Sequence, residues 1–143
     1  MINVRDLMVG NLINTRDGVV EVGKVHRDSV GDKWGGIYFD DEIDGIEVTE
    51  EMLRNIGFKE DITAGEPMPF WRYWDKDWSF KLEVFGDSWC NSDKKFVLHV
   101  DNGDCCALGC GEFTYLHELQ NLVRCITGRS LPIEKDMLYG LDD

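Results

Sequence analysis

The residues best placed to do chemistry lie in an acidic run, Asp40-x-Glu42-x-Asp44-Gly45, followed at the right distance by Glu51. Oxygen ligands at loop positions 1, 3, 5 and 12, with glycine at position 6, are the pattern of a calcium-binding EF-hand loop. Three features depart from it. Position 3 is the longer Glu42, position 8 is the charged Glu47 where an apolar residue should face the core, and the entering segment Trp34–Phe39 holds two glycines among β-formers, where the motif needs a helix. These departures make a solvated acidic turn the expected state of Asp40, Glu42, Asp44 and Glu51, and no cofactor is expected.

Cys105-Cys106-x-x-x-Cys110, with His99 one strand earlier and Cys90 more distant, raises zinc. Adjacent cysteines in a strand point to opposite faces, so Cys105 and Cys106 cannot share one ion without a bulge. Buried small hydrophobes are the expected role of these thiols. For covalent or acid–base catalysis, His26, His99 and His117 are the candidate bases. The chain carries no G-x-S-x-G elbow, phosphate loop, dinucleotide fingerprint or H-E-x-x-H helix. A deep pocket joining one of the histidines to an acid would be needed to make this an enzyme.

Two surfaces suit a partner better than a substrate. The first is the polar face of a helix over 115–127. On it, His117, Gln120, Asn121 and Arg124 are short or forked hydrogen-bonders in place of the Lys/Glu mixture of an idle face. They would meet a partner or the N-terminal lobe. The second is the aromatic run Phe70-Trp71-Arg72-Tyr73-Trp74, with Trp78 beyond a turn. Alternation divides it between two faces, so Trp71 or Trp74 is a candidate for a protein contact and the remainder for the core.

The elements that must hold these groups read as follows. Asn11–Asn14 and Val19–His26 are strands joined by a turn at Arg16-Asp17-Gly18. A further turn falls at Ser29–Asp32, and strands follow over 34–39 and 45–48. Short strands at regular spacing suggest a small SH3-like β-barrel. Thr49 caps a short helix that Gly57 ends. Residues 59–69, with Gly65, Pro67 and Pro69, are the linker candidate. Four antiparallel strands then form a meander, the last two joined across Asp101-Asn102-Gly103. In the closing helix Tyr115, Leu116, Leu119, Leu122, Val123 and Ile126 share an arc of about 120°, and the tail frays or docks through Met137, Leu138 and Tyr139. The expected fold is therefore α+β. A barrel-like β lobe over 1–58 precedes an antiparallel sheet covered by one C-terminal helix over 59–143, the two joined in one compact unit.

Leu7-x-x-Gly10-Asn11, Thr49-Glu50-Glu51-x-Leu53-x-x-x-Gly57-Phe58 and Tyr115-Leu-His-Glu-Leu-Gln-Asn-Leu with Thr127-Gly128, in this order, resemble a family of small uncharacterised proteins of phages, prophages and mobile elements of gut bacteria. The resemblance covers about residues 4 to 131. It implies a phage or mobile-element origin and a cytoplasmic location, and it brings no catalytic residue.

Charge narrows the partners. The 143 residues hold 15 Lys plus Arg against 28 Asp plus Glu, a formal charge of −13. Such a surface repels duplexes and anionic membranes unless its bases cluster, and here they are scattered. Direct nucleic-acid and membrane binding are not expected. The N-terminus lacks the apolar core of a signal peptide and no run nears the roughly 20 apolar residues of a span. With five cysteines, an odd number, the expectation is a cytoplasmic protein with reduced thiols. A non-catalytic accessory protein that binds a protein partner, in one version a basic one, is the leading expectation. A small enzyme with an unrecognised site and a self-assembling structural module are the alternatives, and the sequence leaves the oligomeric state open.

Overall fold

The computed structural model describes residues 2–61, 70–74, 79–84, 96–101, 107–134 and 138. Among the described residues, helices α1 (Glu50–Ile56) and α2 (Leu116–Thr127) and three antiparallel sheets form a mixed α+β fold. After a single 3₁₀ turn at Val4–Asp6, strands β1 (Leu12–Thr15) and β2 (Gly18–Glu21) form a hairpin. Strands β3 (Lys24–Val25), β4 (Ser29–Gly31) and β5 (Ile37–Phe39) make a separate three-stranded sheet in the order β3-β4-β5. A 3₁₀ turn at Asp40–Glu42 leads to β6 (Ile43–Asp44), which returns to pair with β1.

The N-terminal part is thus two three-stranded sheets and not the closed SH3-like barrel expected from strand spacing. Ser29–Gly31, read as part of a turn, is instead the central strand of the second sheet. Spacing alone does not say which strand closes on which. Here β6 pairs with β1 and leaves β5 at the edge of its own sheet. That edge is guarded. Arg16 of the first hairpin ion-pairs with Glu42, donates to the Ile37 carbonyl at 3.4 Å, and Glu42 accepts from the Phe39 N–H at 3.2 Å. Outward-facing backbone groups of β5 are covered, which blunts pairing with another chain.

Helix α1 (Glu50–Ile56) follows from local chemistry alone. The Thr49 hydroxyl accepts from the Met52 N–H at 3.2 Å, Glu50 and Glu51 sit at the positive end, and Gly57 stops the helix in a left-handed conformation at φ 119°. The Phe58 N–H returns to the Leu53 carbonyl at 2.9 Å, and Phe58 is buried. Residues 59–61 of the expected linker form strand β7 (Lys59–Asp61); 62–69 lie outside the described residues. With β8 (Phe70–Trp74), β9 (Ser79–Val84), β10 (Phe96–Asp101) and β11 (Ala107–Phe113), β7 makes a five-stranded antiparallel sheet ordered β11-β10-β9-β8-β7, one strand more than the expected meander. The Asn102-Gly103 turn lies outside the described residues. Ring pairs stabilise this sheet across strands, Tyr73 against Phe80 at 5.7 Å and Phe96 against Phe113 at 5.2 Å.

Helix α2 (Leu116–Thr127) packs on β10, β11 and β1. Glu118 reaches back to the Tyr115 N–H at 3.1 Å and so satisfies a donor at the helix start. The Gly128 N–H closes the end on the Arg124 carbonyl at 2.8 Å. Two cores result. The larger gathers Leu12, Val48, Leu53 and Phe58 with Trp71, Leu98, Phe113, Leu116 and Leu119, so it spans the expected lobe boundary at 58/59. The smaller holds Val4, Leu7, Ile13, Val22, Val30, Tyr38 and Ile43. Successive side chains of a strand point to opposite faces, and β1 sends Leu12 to the first core and Ile13 to the second.

Residues 46–48 and 114–116 are also joined by backbone. The Leu116 N–H donates to the Ile46 carbonyl at 2.8 Å and the Val48 N–H to the Thr114 carbonyl at 3.0 Å. Tyr115 lies so close to Gly45 that a Cβ there would stand 2.5 Å from its Cδ1 and 2.6 Å from its Cγ. The ring cannot swing away freely, because it stacks on His117 with centroids 5.8 Å apart. Gly45→Ala is therefore expected to cost about 1–3 kcal/mol by overpacking, read as a lower urea midpoint with an unchanged slope.

Candidate partner-binding surface

Three of the four polar residues of α2, Gln120, Asn121 and Arg124, face the N-terminal segment. Gln120 accepts from the Leu12 N–H at 2.9 Å and donates to the Gly10 carbonyl at 3.3 Å. Asn121 accepts from the Asn11 amide at 2.8 Å and donates to the Asp6 carbonyl at 2.9 Å. Arg124 donates to the Val9 carbonyl at 3.0 Å. Asn11 is itself buried, and its oxygen takes the Met8 N–H at 2.8 Å. His117 is buried against Tyr115. Of the two destinations open to this face, a partner or the N-terminal lobe, these bonds serve the lobe. Two of the quoted motifs, Leu7-x-x-Gly10-Asn11 and the Gln120-Asn121 pair, meet here as one hydrogen-bonded unit.

Trp71 is 1 % exposed and lies in the larger core, with the Arg54 guanidinium 5.2 Å from its ring centroid. It offers no surface to a partner. The Trp74 side chain lies outside the described residues. In the acidic run, Asp40 and Glu42 belong to the 3₁₀ turn, Asp44 is paired in β6 and accepts from the Gly45 N–H at 2.8 Å, and Glu51 opens α1. Strand β5 enters this run, so the helix–loop–helix frame of an EF-hand is lacking. His26 lies in the connection between β3 and β4, His99 on β10 and His117 on α2. Cys110 lies opposite His99 in the β10–β11 register, while Cys90, Cys105 and Cys106 fall outside the described residues. Among the described residues no three His, Cys, Asp or Glu are placed to hold a metal ion, and no helix is long and apolar enough to cross a membrane.

A different surface stands out. Trp34 is 90 % exposed, Ile37 51 % and Phe39 54 %. Ile37 and Phe39 project from one face of β5, while Tyr38 between them is buried against Val30. Opposite them on β4 stand the small residues Gly31 and Ser29, so the large apolar side chains rise from a low floor. Trp34 sits at the tip of the β4–β5 turn. That turn is braced by Asp32, whose one carboxylate oxygen accepts from the Trp34 N–H at 2.8 Å and the Gly36 N–H at 2.7 Å. Gly35 takes φ 90°, a conformation L side chains rarely adopt. The Gly36 N–H foremost, with those of Trp34 and Gly35 and the Tyr38 hydroxyl, holds the Asp32 carboxyl below its ordinary value. Burial, then the Asp17 and Asp32 carboxylates beside it at 3.0 and 3.3 Å, push the Tyr38 phenol up. The turn is thus locked with its carboxylate ionised and its phenol neutral at physiological pH.

Residues 24–44, which carry these exposed side chains, hold six carboxylates against three Lys or Arg. Sequence reasoning placed Trp34–Phe39 in a strand and passed over this surface. A signal existed: β-alternation of Ile37, Tyr38 and Phe39 puts the first and third on the same side, and Gly35-Gly36 frees Trp34 from that strand. No protein-family model matches the chain, and no curated protein or solved structure matches it.

Proposed function

We propose that this is a non-catalytic accessory protein of phage or mobile-element type that acts by binding another protein through the exposed apolar side chains of Trp34, Ile37 and Phe39. The carrying observation is the exposure of these three side chains on one braced sheet. Leaving large apolar groups in water is costly, at about 25 cal/mol per Å² of apolar area, and a clustered set with a polar rim is the usual mark of a protein contact. The net acidic 24–44 segment and the −13 charge favour a basic partner surface. The three sequence motifs supply the likeness to phage proteins.

Affinity capture from host lysate by the wild type and by Ile37→Ser/Phe39→Ser tests the reading. Both side chains are more than half exposed, so the double variant is expected to keep its stability within about 0.5 kcal/mol per site while losing the captured protein. Raising salt to about 0.5 M is expected to weaken the wild-type capture strongly. Identical capture by wild type and variant, at both salt levels, would remove the proposal.

A further inference from the structure

Strand β5 is paired on one side and open on the other. In an antiparallel pair, residues bonded to the neighbouring strand alternate with residues that are not. The Asp32 N–H donates to the Gly36 carbonyl at 2.9 Å, and Tyr38, two residues on, stands opposite Val30 of β4. Gly36 and Tyr38 therefore turn their backbone groups to β4, and Ile37 and Phe39 turn theirs away from it. Each of the outward pair offers an N–H and a C=O, set about 7 Å apart along the strand.

The guard over this edge is partial. Arg16 reaches the Ile37 carbonyl at 3.4 Å and Glu42 takes the Phe39 N–H at 3.2 Å, at or beyond the long end of the usual range. Among the described residues no hydrogen bond reaches the Ile37 N–H or the Phe39 carbonyl. Arg16 and Glu42 are held to each other, but the Arg16 side chain is half exposed, so water competes for it and the guard opens at little cost. A strand laid along the edge would satisfy all four backbone groups. It would also set its own outward side chains beside Ile37 and Phe39 as cross-strand neighbours. Main-chain bonds then supply affinity and alternate side chains supply specificity, as in other cases of strand addition.

Charge selects the occupant. Strand β5 runs directly into Asp40 and Asp41, both exposed. A second copy of the chain brings the same −13 and is repelled. A segment with a lysine or arginine next to its extended residues meets opposite charge there and can replace Arg16 on Glu42.

We infer that the open edge of β5 accepts an extended segment of the partner protein, flanked by lysine or arginine, which displaces Arg16 and bonds to the backbone of Ile37 and Phe39. The inference rests on the protein-binding reading above and deepens it by naming how the partner is held.

The test uses the full chain and three peptides: acetyl-Lys-Val-Thr-Val-Lys-amide, the same peptide with both valines N-methylated, and the same peptide with glutamate in place of both lysines. Binding is followed by the backbone amide resonances of Ile37 and Phe39. The lysine peptide is expected to shift both saturably. N-methylation keeps the side chains and removes the donors that would meet the Ile37 and Phe39 carbonyls, so that peptide is expected to bind at least about tenfold more weakly. The glutamate peptide is expected to bind at least about fivefold more weakly. Arg16→Ala, which removes the guard, is expected to tighten the lysine peptide about two- to fivefold. Equal binding of the lysine peptide and its N-methylated or glutamate form overturns the inference, as does a failure of the Ile37 and Phe39 amides to move; these comparisons use the wild-type fold alone. Should that happen while Ile37→Ser/Phe39→Ser abolishes capture, protein binding through the apolar side chains stands and strand addition alone is lost. Should the double variant capture as the wild type does at both salt levels, the parent reading is the one that fails.

Discussion

Trp71→Ala is expected to lower the free energy of unfolding by about 3–5 kcal/mol, a large share of the roughly 5–15 kcal/mol available to a domain of this size. The reasoning starts from position. Trp71 is on β8, next to the edge strand β7 of the five-stranded sheet, and its indole is among the largest fully buried side chains. It belongs to the core that also holds Leu53, Phe58 and Leu116, so its loss leaves a cavity in that core. Arg54 would lose the ring face beneath its guanidinium as well. Urea denaturation followed by far-UV circular dichroism checks the value. A surface tryptophan would cost no more than about 0.5 kcal/mol, so a result in that range would mean that the core has been misplaced.

The second large effect lies in the seam between α2 and the N-terminal segment. Asn11→Asp changes one atom type and almost no volume. The Asn11 oxygen still accepts from the Met8 N–H, but the group facing the Asn121 oxygen turns from donor to acceptor. Each amide of the seam has the one orientation that satisfies its partners on both sides, because Asn121 spends its own N–H on the Asp6 carbonyl. The substitution therefore buries a charge against an acceptor and is expected to cost about 2–3 kcal/mol at neutral pH. The folded state raises the pKa of the introduced acid, since burial and the facing oxygen disfavour its charge. The penalty should then shrink as pH falls through that raised value, a trend opposite to ordinary acid destabilisation. Gln120→Ala, which orphans the Leu12 N–H and the Gly10 carbonyl, is expected to cost about 1–3 kcal/mol with no such pH trend. A double-mutant cycle of Asn11→Ala with Asn121→Ala should return a coupling of about 1 kcal/mol. Purely additive losses would show that the two amides do not act as a pair.

The seam and the exposed sheet play opposite parts. Gln120, Asn121 and Arg124 spend their hydrogen-bonding capacity on carbonyls and N–H groups of residues 6–12, which fixes the first hairpin on α2. The outer sheet, with Trp34, Ile37 and Phe39, by contrast leaves large apolar side chains exposed.

Elements governed by neighbours in sequence were legible before any coordinates. Thr49 and Gly57 bound α1, Gly128 stops α2, and Leu116, Leu119 and Val123 are buried as the helical period requires. The pairing of β1 with β2 follows from the turn at Arg16–Gly18. Antiparallel strands with helices, an α+β fold, follow from the same local signals. Caps, turns and periodicity act within a few residues, and their physics is complete in the local sequence.

What only the tertiary structure decided depends on residues far apart. Asn11 and Asn121 are 110 residues apart, and no local rule says that a polar helix face will close on a distant loop and leave solvent. His117 shares that face by helical angle, yet it is buried because Tyr115 stacks on it and the 46–48 segment crosses nearby. Strand order, with β6 on β1 and the β3-β4-β5 sheet left open, replaced the expected barrel for the same reason. Exposure of Trp34 is likewise a statement about what is not packed over it, and a sequence encodes which side chains prefer burial but not which of them the fold leaves uncovered.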